Sequence, residues 1–180
     1  MKKFLTVTLV LLIYLMTGCA SSVPEEPGPK LPIELPFAVH QAGATVSTEL
    51  RIVERYRGYP HNYPFDLVFI FGKGDEVDRA RVRKLTGGGG TINGQPAEPG
   101  IQIPLKITIH FIDASGEKLF LEKEIITRAI WAWRIDRFYR NIDTIHMPPG
   151  LYRVTVMSLK NIPELAGTKV TLYISLRRGE

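Results

Sequence analysis

Apolar and polar residues alternate with a period of two along most of the 180-residue chain. That period belongs to strands with one buried face. Val46, Thr48, Leu50 and Ile52 share one side, with Glu49, Arg51 and Val53 opposite. Phe65, Leu67, Phe69 and Phe71 repeat the pattern. The cleanest run is Ile103, Leu105, Ile107, Ile109 and Phe111, with Lys106, Thr108 and His110 facing away. Asp113-Ala114-Ser115-Gly116 has turn chemistry, so Lys118 to Ile126 is expected to return as a hairpin partner. Tyr152, Val154 and Val156 alternate, as do Val170, Leu172, Ile174 and Leu176. With the regions of Ile33 and Ile142 added, about seven or eight strands predict a mainly β fold. The expected architecture is an antiparallel β-sandwich with Greek-key connections, immunoglobulin-like or jelly-roll-like. Pro148-Pro149-Gly150 should reverse the chain, placing the Tyr152 hydroxyl against nearby backbone as in a tyrosine corner.

Three later segments depart from this alternation. Asp75 to Leu85 carries acidic residues early (Asp75, Glu76, Asp78) and basic residues late (Arg79, Arg81, Arg83, Lys84). This order suits a helix dipole, with Asp75 as N-cap, an Asp75–Arg79 pair one turn apart, and Gly87 to Gly90 as the stop. Gly87 to Gly100 then reads as a Gly/Pro-rich loop. Arg128 to Arg140 holds both tryptophans and four arginines. As a helix it would stripe Trp131, Ile135, Phe138 and Ile142. As a strand it would put Trp131, Trp133 and Ile135 on one face. Both readings stand on the pattern alone.

The amino terminus has a different logic. Lys2 and Lys3 precede an apolar run from Phe4 to Met16, interrupted only by Thr6 and Thr8. A membrane span needs about 20 apolar residues, whereas a run of this length fits the core of a secretory signal. It ends in Met16-Thr17-Gly18-Cys19. This junction resembles the lipobox of bacterial lipoproteins, with Met16 where leucine is most usual. The resemblance implies cleavage before Cys19 and acylation of that cysteine on sulfur and on the new amino terminus. Two or three acyl chains attach a protein firmly where one does not. Ala20 replaces the aspartate that favours inner-membrane retention, so the expected location is the periplasmic face of a Gram-negative outer membrane.

Residues 1–18 are thus read as signal peptide, 19–36 as lipidated cysteine and stalk, and 37–180 as the sandwich domain. The stalk holds Pro24, Pro27, Pro29, Pro32 and Pro36. Proline fixes φ and removes donors, giving a semi-rigid tether of about 3.1 Å per residue. Its distal end is expected to merge into a first strand near Ile33 to His40.

Charge and cysteine usage narrow the function classes. The net charge of +5 falls to +3 once Lys2 and Lys3 leave with the signal, a weak basic excess. Outside the cytoplasm nucleic acid is an improbable partner, whereas anionic envelope components are accessible. Cys19 is the sole cysteine, and acylation consumes it. Neither a disulfide nor a thiolate site is then available. His40, His61, His110 and His146 show no metal-ligand spacing, the glycine run lacks the Lys-Ser/Thr of a phosphate loop, and the serines lack G-x-S-x-G. No catalytic residue, cofactor or metal is implied. Trp131, Trp133, Arg134, Arg137, Tyr139 and Arg140 form the candidate partner surface, since Trp, Tyr and Arg dominate binding hot spots. The competing reading is core tryptophans flanked by solvated arginines.

The segments KGDEVDRARVRKLTGG, NGQPAEPG, PPGLYRVTVMSL and IPELAGTKV together resemble a family of uncharacterised proteobacterial lipoproteins with a domain of unknown function. The resemblance spans roughly residues 33 to 177. It implies an envelope lipoprotein and supplies no activity or catalytic residues. The leading expectation is a non-enzymatic, lipid-anchored interaction module for an envelope protein or cell-wall polymer. The alternatives are an immunity or inhibitor lipoprotein that occludes a toxin or enzyme, and an envelope hydrolase with a dispersed site.

Overall fold

A computed structural model describes residues 31–53, 61–92, 95–98, 100–127 and 130–176. The expected signal, Cys19 and most of the proline-rich stretch lie outside the described residues.

Two antiparallel sheets face each other. The first contains β1 (Ile33–Pro36), β3 (Asn62–Ile70), β8 (Ile130–Arg134), β9 (Arg137–His146) and β11 (Lys169–Ile174), in the order β1-β11-β3-β9-β8. The second contains β2 (Thr45–Ile52), β6 (Pro104–Asp113), β7 (Gly116–Ile126) and β10 (Gly150–Ser158), in the order β2-β10-β6-β7. A helix, α1 (Glu76–Thr86), and a short hairpin of β4 (Gly88–Ile92) and β5 (Gln95–Glu98) are inserted between β3 and β6. The fold class is therefore the expected one, mainly β with two antiparallel layers and one helix.

The alternation read along the chain is the alternation of faces. Phe65, Leu67 and Phe69 of β3 meet Leu105, Ile107 and Ile109 of β6 in one apolar core, joined by Leu50, Val154, Val156 and Leu172. Each is fully or almost fully buried. Burying one such side chain contributes about 1.5–3 kcal/mol. The outer face of the second sheet stays polar, with Lys106 paired to Glu122 and Arg153 paired to Glu49 and Glu117. Tyr152 donates its hydroxyl to the Pro148 carbonyl at 2.9 Å, the corner contact expected from its spacing.

The departures from alternation resolve as follows. Asp75 caps α1 by accepting from the Asp78 backbone N–H at 2.8 Å. Arg79 pairs with Glu76 rather than with Asp75, and Arg81 with Asp78, both three residues apart. The cap occupies the Asp75 carboxylate, which leaves Glu76 to Arg79. The loop expected from Gly87 to Gly100 is instead largely the β4–β5 hairpin. Its sequence contains Asn93-Gly94, a pair favoured in tight hairpin turns, between the two strands. The distal end of the proline-rich stretch, where the pattern places a first strand, is β1, paired at the sheet edge with β11. Pro36 is the last residue of this edge strand, a position where a missing donor is tolerated.

Candidate functional site

Residues 130–146 form a hairpin, which decides between the two readings of the Trp/Arg stretch. Arg134 pairs with Arg137, so Ile135 and Asp136 are the two-residue turn. A register shift between Ile130 and Ala132 puts a bulge at Trp131. β8 is the edge strand, and beyond it the first sheet has no further described strand.

Alternation along β9 separates the predicted surface residues. Phe138 and Arg140 pair with Phe69 and Leu67, so both point into the sandwich. Tyr139 pairs with Val68 and points to the outer face. Arg140 is 1% exposed and cannot line a partner surface as expected. Its guanidinium donates to the Ile101 carbonyl at 2.8 Å and the Thr127 carbonyl at 3.1 Å. These carbonyls lie just before β6 and just after β7, so Arg140 ties the first sheet to the second. Burial pulls its pKa down to about 10, still well above neutrality.

Tyr139 is likewise buried, edge-on to Tyr173 with ring centroids 5.8 Å apart. Arg137 stretches across the outer face to Glu34 of β1 at 3.3 Å and also pairs with its neighbour Asp136. The Asp136 carboxylate holds the Arg137 pKa above its ordinary value, while Arg137 and, more weakly, Lys73 hold that of Asp136 below it. These contacts commit Arg137 to the fold.

Trp131 is half engaged. Its indole N–H donates to Asp66 Oδ1 at 3.0 Å, and Asn141 Nδ2 donates to the same oxygen at 3.1 Å. The ring remains 58% exposed. Asp66 sits on the outer face of β3 and is almost wholly covered. Burial raises its pKa above 3.8, with the two hydrogen bonds opposing. Pattern reading missed Asp66, although an aspartate between Phe65 and Leu67 in an apolar run is the signal that would have found it.

The raised value has a measurable consequence. A folded-state pKa above the unfolded one means the folded chain binds the proton more tightly, so this group favours folding at low pH. That contribution is lost as pH rises from about 3.8 through the folded value. Asp66→Asn keeps an oxygen acceptor and removes the titration. Thermal melts from pH 4 to 7 should show wild type losing stability relative to the variant as pH rises. A pH-independent difference would contradict the assignment.

Trp133 and Arg134 remain as the free part of the predicted surface, and Ile135 of the turn, which was not among the predicted residues, stands beside them. Trp133 is 70% exposed and Ile135 73%. With Lys73 and Gly74 of the β3–α1 loop and Glu76 and Arg79 of the first turns of α1, they line a cleft of about 520 Å³. The β3–α1 loop is held against the hairpin by the Phe71 N–H, which donates to the Asp136 carbonyl at 3.0 Å. The rings of Phe71 and Phe138 pack beneath, with centroids 4.8 Å apart. The cleft therefore has an exposed aromatic wall beside a loop tied to the hairpin.

Two histidines come together at the other end of the same sheet, His61 and His146, with ring centroids 6.3 Å apart. Among the described residues no three His, Asp, Glu or Cys side chains gather as metal ligands.

The fold has a relative among solved structures. The crystal structure of a protein from Sulfurospirillum deleyianum superposes with a TM-score of 0.68 at 23% identity, covering 84% of this chain and all of that one. At that identity the likeness speaks for the fold alone. No curated protein matches the sequence. The family model described as a domain of unknown function, DUF5625, matches residues 34–176, from β1 to just past β11, and the chain belongs to that family.

Proposed function

We propose that this protein is a lipid-anchored envelope lipoprotein, held through Cys19 at the periplasmic face of the outer membrane, that acts by binding an envelope partner rather than by catalysis. The observation that carries the binding reading is the hairpin turn. Trp133 and Ile135 stand in solvent beside Arg134, at a place where the core is complete without them. Large exposed apolar side chains grouped beside cations are the composition of binding hot spots. The anchoring half rests on the signal-like amino terminus and on Cys19 as the sole cysteine. Confinement to one membrane would raise the effective concentration of the module for partners within reach.

Photocrosslinking in cells tests both halves. A photoreactive amino acid at position 133 should give a discrete adduct, and one at position 122, on the outer face of the second sheet, should not. In the same cells Cys19→Ser should leave the membrane fraction. Equal adducts from both positions, or none, would remove the hairpin as a binding surface. A membrane-bound Cys19→Ser protein would remove the anchor.

A further inference from the structure

Resting on that reading, we infer that the cleft between the β8–β9 turn and the start of α1 recognises an acidic polypeptide segment carrying an apolar side chain. Three features specify this occupant: charge, shape and position in the fold.

The cleft is lined by three cations, Lys73, Arg79 and Arg134, against one carboxylate, Glu76. Arg79 already pairs with Glu76 at 3.4 Å. Lys73 and Arg134 form no ion pair with any described carboxylate, and Asp136, which Lys73 acts on only weakly, is paired with Arg137. Two cations thus stand at one opening without a fixed counter-ion. An anionic partner would meet them there and gain both attraction at long range and selectivity against basic competitors.

Trp133 and Ile135 give the same opening an apolar wall, and Val77 in the first turn of α1 is 83% exposed. A purely anionic ligand would leave this surface wet. A segment with an aliphatic or aromatic side chain between its carboxylates covers it, and each such contact removes apolar area from water. The volume of about 520 Å³ holds one or two side chains, not a folded domain.

Position separates a polypeptide from the other anionic apolar surface nearby, the membrane of the anchor itself. β1 runs toward the hairpin end, with Pro36 opposite Thr171 and Ile33 opposite Ile174. Ile33 is therefore level with Phe65, whereas the turn lies beyond Ile70 and Lys169. Five residues of strand, about 17 Å, separate the two levels. The chain enters the sandwich at the end away from the cleft. A domain held through its amino terminus, as proposed above, would turn Trp133 away from its membrane and toward other envelope proteins.

The test is selection of a random twelve-residue peptide display library on the full-length acylated protein in detergent. Enriched peptides should be rich in Asp and Glu around a Trp, Phe or Leu. Their binding should fall at least tenfold with Trp133→Ala and with the double variant Lys73→Glu, Arg134→Glu, and should weaken with salt. No enrichment, enrichment of basic or uncharged peptides, or binding that survives both variants would overturn the inference. A second arm uses the same protein in vesicles of phosphatidylethanolamine and phosphatidylglycerol containing brominated lipid. Tryptophan quenching there, lost in Trp133→Ala, would assign the cleft to the membrane and overturn it too. Failure of the peptide selection alongside a position-133 crosslink would leave the binding module standing and remove only its acidic partner.

Discussion

Arg140→Ala is expected to destabilise the folded protein by about 2–5 kcal/mol, the combined cost of two carbonyls left without their donor and of the vacated volume. For a domain of this size that corresponds to a drop in melting temperature of roughly 10 °C. The change leaves the Ile101 and Thr127 carbonyls without the guanidinium, beside a void where it lay. Thr127 fares worst, because its hydroxyl is already buried without a hydrogen-bond partner. Arg140→Lys keeps the charge but offers a point donor in place of a fork that spans two carbonyls, and should recover only part of the loss. Arg134→Ala, six residues earlier and exposed, should change stability by less than about 0.5 kcal/mol. Chemical denaturation of the three variants checks the ranking. Equal effects for Arg140→Ala and Arg134→Ala would remove the stitching role.

Gly100→Ala should be nearly as damaging, about 2–4 kcal/mol, for a reason that lies in the backbone. Gly100 has φ +66, the left-handed region that a side chain makes costly. A Cβ there would sit 2.4 Å from the Gly87 nitrogen and 2.5 Å from the Thr86 carbonyl carbon. Neither atom can swing aside as a side chain could. The segment is also tethered on both sides of its next residue. The Ile101 N–H donates to Leu85 at the end of α1, at 2.8 Å, and its carbonyl receives Arg140. Pushing residue 100 away should loosen the helix and the inter-sheet contact together. Gly43→Ala provides the control: its φ of +78 is equally unfavourable, but its Cβ would meet nothing within 4 Å. Melting curves should therefore rank Gly100→Ala well below Gly43→Ala, and similar losses would show that the close approach does not matter.

Both sites show what pattern reading can reach. The strands with strict alternation, such as Pro104–Asp113 and Gly150–Ser158, were legible because a period of two has one physical cause, a sheet with one wet face. The hairpin at 130–146 was not, because its inward row reads Phe138, Arg140, Ile142 and its outward row is partly covered as well. An arginine in an apolar row looks like a polar position until its neighbours in the adjacent strand, Leu67 and then Leu172, are known. Local pattern cannot supply those pairings. The candidate surface was half visible for the same reason: aromatic and basic composition marked the segment, and only the fold could separate the exposed Trp133 and Arg134 from the covered Tyr139 and Arg140. The cleft itself was invisible, since Lys73 and Trp133 are 60 residues apart and meet only through the fold.

The bulge at Trp131 bears on how this protein family can diversify. β8 is only five residues long and is kinked where an added strand would need a straight edge. This edge is therefore poorly suited to strand addition, and a partner of the kind proposed would read its side chains. Trp133, Arg134 and Ile135 carry almost none of the core, so they can be exchanged with little cost to folding. Substitutions can therefore accumulate in the turn while Asp66, Gly100 and Arg140 keep the scaffold beneath it fixed.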